Sequence, residues 1–481
     1  MSTPPRRLSY TGLVMDNSLR APGAILLVAC YELGHQPLAV AWPSAVLAQH
    51  GFRPAVMDVA VEPFDAEKAH RARLVVVAVP MHTALRLGVE VATRARAENP
   101  GAHLCFFGLY ATLNADYLFA HGADSVIGGE AETPLLALVD ALERGDAGPL
   151  PAVARPGRPA APNLRRLDFP VPSRAGLPSI KSYTHVERDG RMDLVAYAES
   201  SRGCLHRCRH CPIPPVYGGR FFAVPREIVL ADIRQQIEAG ARHVTFGDPD
   251  FLNGPTHALA VARELHAEWP DVTFDVTAKI EHLLRHRAHL PALAAAGCLF
   301  IVSAAESLSD TVLAHLDKGH TRADILTALA FTREAGITLR PTWVAFTPWT
   351  TLDDHRAWLD FLEAEALIDH VDPVQYGLRL LVPPGSLLLE TEALRPHLGP
   401  LEQETLSYRW THPDPRMARL QVETAELVAR ATEMKADTPR IFDSVRAMAA
   451  QAAGVPAPAP VAGGMARDRR RPPRLTEAWF C

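Results

Sequence analysis

Short apolar runs alternate with longer segments of helical spacing twice along this chain, over residues 23–145 and again from about 190 to 381. In the first stretch the runs are 24–28, 55–59, 74–79, 103–107 and 125–127, with helix-like segments such as 43–49, 83–98 and 134–143 between them. A strand that is apolar on both faces has to be covered on both, and a helix after each strand does this. The pattern therefore predicts βαβ units around a doubly wound parallel sheet at residues 20–145. In the second stretch, probable strands at 194–198, 243–246, 273–277, 299–303, 338–345 and 374–381 alternate with helical segments. Six βα units over residues 189–386 predict a partial or full parallel barrel. The intervening 146–188 is too rich in proline for helix or central strand and reads as an extended linker. Residues 387–451 read as a helical region, and 452–481 as a flexible Ala/Pro/Gly tail with a basic run, ending in Cys481.

Composition narrows the class further. A length of 481 residues suggests roughly three domains' worth of chain. With 48% hydrophobic and 21% charged residues, disorder over the whole length is excluded. No apolar run approaches the ~18 residues of a membrane helix, and no signal-peptide pattern follows Met1. A net charge of -5 offers no support for nucleic-acid or anionic-membrane partners. Seven cysteines, an odd number, do not make a disulfide scaffold, and a cytoplasmic protein is expected.

Three of those cysteines fall within eight residues, in the loop after the first barrel strand: Cys204, Cys208 and Cys211, spaced Cys-x3-Cys-x2-Cys. Three thiolates so close together can hold three irons of a cubane 4Fe–4S cluster and leave the fourth iron open. The alternative is a closed zinc site with His206 or His210 as fourth ligand. Arg202, Arg207 and Arg209 place positive charge in the same loop, where thiolates need it. Cys30, Cys105 and Cys298 sit in or beside apolar strands and read as core thiols.

The spacing, with its Glu199-Ser200-Ser201-Arg202-Gly203-Cys204 lead-in, resembles the radical S-adenosylmethionine (radical SAM) superfamily. The resemblance implies a partial (β/α)6 barrel whose cluster binds S-adenosylmethionine and reductively cleaves it to a 5′-deoxyadenosyl radical. An external reductant such as flavodoxin or ferredoxin is then implied. It further implies that Asp248 and Asp250, after the second strand, face the methionine amino group. Thr277, Lys279 and Glu281, after the third, would reach ribose or carboxylate; Glu306 and Ser307, after the fourth, would lie near ribose and methionine. The turn Lys318-Gly319-His320-Thr321 matches a further family pattern.

The first domain is similar to the cobalamin-binding domain of a large radical SAM subgroup. Gly108 and Thr112 lie in one matching turn, Gly129 and Glu130 in another, and the resemblance implies that they bind cobalamin. The subgroup's Asp-x-His-x-x-Gly motif after the first strand is absent, the loop reading Cys30-Tyr31-Glu32-Leu33-Gly34-His35 instead. The tail before Cys481 resembles radical SAM proteins that end in Cys-Sec-Ala-Glu-Pro or Cys-Cys-Ala-Glu-Pro. This makes Cys481 a candidate catalytic thiol on an arm and a selenocysteine continuation an expectation.

Three functions follow as expectations. The first is cobalamin-dependent methyl transfer to an unactivated centre. The second is non-methylating radical chemistry, with the first domain as scaffold and the terminal cysteine taking part. The third is a non-catalytic iron–sulfur or zinc redox protein. A small molecule or a peptide fits as substrate, with residues 217–222 and 379–384 as candidate pocket walls.

Overall fold

The computed structural model of the chain describes residues 18–461 and 469–477. The first sheet contains β1 (Ile25–Ala29), β2 (Ala55–Asp58), β3 (Leu74–Ala78), β4 (His103–Phe107), β5 (Ser125–Ile127) and β6 (Val153–Ala154), in the order β2-β1-β3-β4-β5-β6. Its first five strands are parallel and β6 joins antiparallel. Alternate residues serve opposite layers: Leu26, Val28, Val75 and Val77 pack into one core, and Ile25, Leu27, Leu74 and Val76 into the other. Each such side chain contributes roughly 1.5–3 kcal/mol on burial, which is why both faces carry helices.

The second sheet contains β7 (His185–Arg188) and β8 (Arg191–Ala198), a hairpin. After a small hairpin of β9 (Ser201–Gly203) and β10 (Phe221–Ala223), it continues with β11 (His243–Phe246), β12 (Thr273–Thr277), β13 (Cys298–Glu306) and β14 (Thr338–Trp343). A further hairpin, β15 (Leu398–Glu402) with β16 (Ser407–Trp410), stands apart, and β17 (Arg474–Leu475) returns to the second sheet. The order is β14-β13-β12-β11-β8-β7-β17, with β8 and β11 to β14 parallel: a curled half-barrel with helices outside.

Four segments differ from the sequence-based expectation. The expected strand at 374–381 is a 3-10 turn, Pro373–Gly377, followed by one parallel bridge between Phe346 and Arg379. Proline opens that turn, and Gly377 sits so close to the helix Pro415–Glu433 that a Cβ would come within 2.9 Å of the Ala425 Cα. The proline-rich stretch crosses the seam extended, yet gives β6 to the first sheet and β7 to the second, at positions free of proline. The 387–451 region holds the β15–β16 hairpin ahead of its helices, Pro415–Glu433 and Thr438–Ala453. Residues 469–477, expected to be part of a free tail, run along the half-barrel's edge through β17. Cys30, Cys105 and Cys298 are buried, as expected of core thiols.

Candidate active site at the carboxyl edge of the half-barrel

Backbone geometry sets the cysteine loop before any side chain does. Gly203 has φ +76°, and a Cβ on it would strike the Arg220 carbonyl and the Tyr217 ring. Glycine therefore lets the β9–β10 hairpin close immediately before Cys204. Ahead of it, Asp248 accepts hydrogen bonds from the Ser200 N–H (2.8 Å), Ser200 Oγ (2.7 Å) and Ser201 Oγ (2.6 Å). Both carboxylate oxygens are thus engaged by the lead-in, and Asp248 positions the loop instead of presenting a free acceptor to an amino group. Behind the hairpin, Cys204 and Cys208 are buried and Cys211 half-buried, the last two joined by a Cys211 N–H to Cys208 carbonyl bond of 3.2 Å.

Burial pushes the Cys211 thiol up to about 12 and also raises Cys204. Such thiols ionise when a metal takes them, so the set fits iron and not a free reactive thiolate. The cation beside them is Lys318, whose buried ammonium is raised by Glu306 and by Cys208 and Cys211 against the cost of its own burial. Of the expected arginines, Arg202 turns away to the first domain, and Arg209 reaches the His315 carbonyl (3.3 Å). His206 has both ring nitrogens engaged away from the cysteines, by Lys279 Nζ at 3.1 Å and His282 Nε2 at 3.0 Å. His210 gives Nε2 to Glu306 (3.1 Å).

Glu306 ends β13 with φ +65°, left-handed for a non-glycine residue. Such a conformation costs roughly 1–2 kcal/mol and marks a residue held for a purpose. Burial works against its carboxylate, but Lys318 at 3.2 Å and His210 outweigh it and hold the group well below the ordinary range. Ser307 beside it is buried and accepts from the Ser309 N–H (3.1 Å). Asp250, Lys279 and Glu281 meet around two histidines: His206, which the sequence offered as a zinc ligand, and His282, which it did not single out. Lys279 Nζ lies 3.0 Å from Glu281, and Asp250 lies 2.9 Å from His282 Nδ1 and 3.8 Å from His206 Nε2. This ionic patch adjoins the cysteine loop and offers donors and acceptors to a zwitterionic ligand.

At the carboxyl edge of the first sheet, Gly108 (φ +111°) lies so close to Val79 that a Cβ would meet its carbonyl at 2.9 Å. Thr112 packs under Gly128 and donates to the Gly108 carbonyl (3.3 Å). Gly129 bridges to Asn163 of the linker, leaving no room for a Cβ. Glu130 is 1% exposed and accepts from Tyr217 Oη (2.8 Å) and Arg202 Nη1 (2.9 Å). Gly129 therefore ties the domain to the linker, and Glu130 ties it to the half-barrel. Beside them, half-buried Val59, Tyr31, Met81 and Leu109 follow the four neighbouring strands β2, β1, β3 and β4, forming an apolar ledge that suits a flat macrocycle.

The candidate pocket walls at 217–222 and 379–384 are used structurally at their key residues. Tyr217 serves Glu130, and Arg379 stacks 4.2 Å over Trp410 and donates to its carbonyl. A cavity of about 140 Å³ lies inside the half-barrel, lined by His35, Tyr197, Thr245, Asp275, Thr277 and Arg340 among others. The signal was present in the sequence: His243, Thr245, Thr273, Asp275 and Thr277 alternate as polar residues on two strands otherwise apolar. Cys481 lies outside the described residues.

Residues 199–357 match the radical SAM superfamily. The chain is 30% identical over 201 residues to tRNA-2-methylthio-N(6)-dimethylallyladenosine synthase of Chlorobium luteolum, a match spanning 36% of this chain and 40% of that one. In structure it is similar to TsrM from Kitasatospora setae, a radical S-adenosylmethionine methyltransferase (20% identity, TM-score 0.58, 71% of each chain). It is also similar to OxsB, a cobalamin-dependent S-adenosylmethionine radical enzyme solved with aqua-cobalamin (15% identity, TM-score 0.69, 85% of this chain and 67% of that one). The two likenesses show a shared fold. Among the described residues no helix is long and apolar enough to cross a membrane. Cysteine spacing, loop geometry and the match together identify residues 199–357 as a radical SAM domain, a domain that uses a 4Fe–4S cluster and S-adenosylmethionine.

Proposed function

We propose that this chain is a cytoplasmic, cobalamin-dependent radical SAM methyltransferase acting on an unactivated carbon or phosphorus centre of a small molecule. The observation that carries the reading is the apolar ledge of Val59, Tyr31, Met81 and Leu109, because the loop leaving β1 beside it also supplies Leu33 and His35 to the barrel cavity. One loop thus borders both the apolar ledge and the barrel cavity. TsrM and OxsB, which share the fold, support the reading.

When bound, the cluster and S-adenosylmethionine supply a radical, and cobalamin supplies a methyl carrier. The chain's own residues hold and orient. Cys204, Cys208 and Cys211 would hold three irons of the cluster, Asp248 fixes their loop, and Lys318 would balance the charge of the thiolates. Glu306 and the patch of Asp250, Lys279 and Glu281 would orient the nucleoside and amino-acid ends of S-adenosylmethionine. A substrate filling the barrel cavity would displace water from around the reacting atoms. A flavodoxin- or ferredoxin-type protein is the proposed electron donor.

The test is anaerobic reconstitution with iron, sulfide and cobalamin, followed by reduction in the presence of S-adenosylmethionine. Formation of 5′-deoxyadenosine together with a corrin absorption spectrum on the protein supports the proposal. Corrin-free protein that still cleaves S-adenosylmethionine would sink its cobalamin part. That outcome favours non-methylating chemistry with the first domain as scaffold, a reading for which the use of Gly129 and Glu130 in the seam speaks.

A further inference from the structure

The half-barrel sheet has two free edges, β14 and β7, and residues 469–477 lie between them. On one side β17 pairs with β7 through Arg474–Glu187 and Leu475–Val186. On the other, Arg340 of β14 donates to the Pro473 carbonyl (3.4 Å). Arg469 secures the segment's start, gripping Asp369 at 2.6 and 2.7 Å and Asp437 at 2.9 and 3.0 Å. Because β17 is antiparallel to β7, and β7 to β8, β17 runs in the direction of β8, toward the edge that carries the cysteine loop. It ends against the first domain: Glu477 accepts from Tyr31 Oη (3.1 Å) and its N–H donates to Thr184 Oγ1 (3.1 Å).

Leu475 and Glu477 thereby line the internal cavity. Asp275, which lines the same cavity, is 2% exposed; its Oδ1 accepts from His243 Nε2 (2.9 Å) and Thr245 Oγ1 (2.6 Å), and its Oδ2 has no hydrogen-bond partner among the described residues. Arg340, the cation of the lining, is paired with Asp372 at 3.1 Å. His35 is 4% exposed, stacks on Tyr197 at 4.6 Å between ring centroids, and leaves Nδ1 without a partner. A buried unpaired nitrogen and an unpaired carboxylate oxygen among the residues that line one largely apolar cavity call for a ligand that brings donors.

We infer that this cavity takes a small molecule bearing a primary ammonium group, held between Asp275 and Glu477, and that the C-terminal strand completes its wall in cis. An ammonium offers three donors and no acceptor, which matches Asp275 Oδ2, a Glu477 oxygen and His35 Nδ1. A carboxylate in the same place would meet two carboxylates. The inference deepens the proposed function, resting on it only in calling that molecule a substrate.

The test uses the full reconstituted chain and two probes of equal length, 1,4-diaminobutane and succinate, with binding read by calorimetry. Millimolar or tighter binding of the diamine and none of succinate is expected, with a loss of about tenfold or more in Glu477→Gln and partial recovery in Glu477→Asp. Should Glu477→Gln fail to fold by circular dichroism, Leu475→Phe, which fills the cavity, is expected to abolish diamine binding while leaving the cluster spectrum intact. Succinate binding as tightly as the diamine, no diamine binding, or diamine binding indifferent to these substitutions overturns the inference. 5′-Deoxyadenosine formation and corrin absorption, measured on the same samples, show separately whether the proposed function stands.

Discussion

The Arg202 guanidinium meets the Glu130 carboxylate at 2.9 Å across the seam between the two domains, and the same nitrogen lies 2.7 Å from Glu132. Arg202 sits two residues before the first cluster cysteine, so one side chain ties the cysteine loop to the carboxyl edge of the first sheet. Its burial opposes the charge, but Glu132, Glu130 and Glu199 outweigh that. Trp42 and Phe169 add their ring faces at 5.1 and 5.3 Å.

Arg202→Ala leaves two buried carboxylates without their cation, and a loss of about 3–5 kcal/mol is expected in urea unfolding at pH 8. Burial already lifts Glu130 above its ordinary range, with Arg202 pulling the other way. Without Arg202 the folded carboxyl rises further and binds a proton that the unfolded one has released. The deficit should therefore shrink as pH is lowered toward 5 and grow as it is raised. A deficit flat with pH would show that Glu130 is not the group responsible.

Asp248→Asn replaces an acceptor of three donors with a side chain that must donate from one side. The Ser200 and Ser201 hydroxyls can rotate, but the Ser200 N–H cannot, and one contact in the lead-in is lost or reversed. Lower iron retention after reconstitution is expected, with S-adenosylmethionine affinity changed less than iron content. The opposite ranking would assign Asp248 to the ligand.

Cys208→Ala and Cys211→Ala should each abolish the iron–sulfur absorption and 5′-deoxyadenosine formation, because two thiolates cannot hold the cluster. Cys105→Ala, buried in the first core, should lower stability by about 1 kcal/mol and leave the iron content unchanged.

His355 packs tilted against Phe346 at 4.8 Å and lies 5.5 Å from Trp358, and neither nitrogen has a partner of hydrogen-bond geometry. Burial lowers it from its ordinary 6.5 to about 4. The unfolded chain then binds this proton first, so stability is full above pH 6.5 and falls as pH drops toward 4, by up to ~1.4 kcal/mol per pH unit. His355→Leu should be neutral or stabilising at pH 7 and reduce the acid slope by one proton, as read from urea midpoints across that window. An unchanged slope would show that His355 is protonated in the fold.

The alternation of apolar runs determined the two parallel sheets, and three cysteines at fixed spacing after a strand determined the cluster loop, because both follow from chain-local geometry. Lys279 and Glu281 stood out for the same reason, as polar residues ending a barrel strand, and the fold pairs them with each other. What a side chain meets across 70 or 300 residues was not. Asp248 was read as a ligand group and serves the loop; Glu130 was read as a cofactor contact and serves Arg202. The sequence placed residues 469–477 in a free tail, since two strand residues after a proline–glycine-rich stretch carry almost no local signal. Only the unfilled edges of β7 and β14 recruit them, and edge pairing is a property of the assembled sheet. The electrostatics followed the same division: residue types gave the charges, and burial together with the partner found in the fold decided which charge each group keeps.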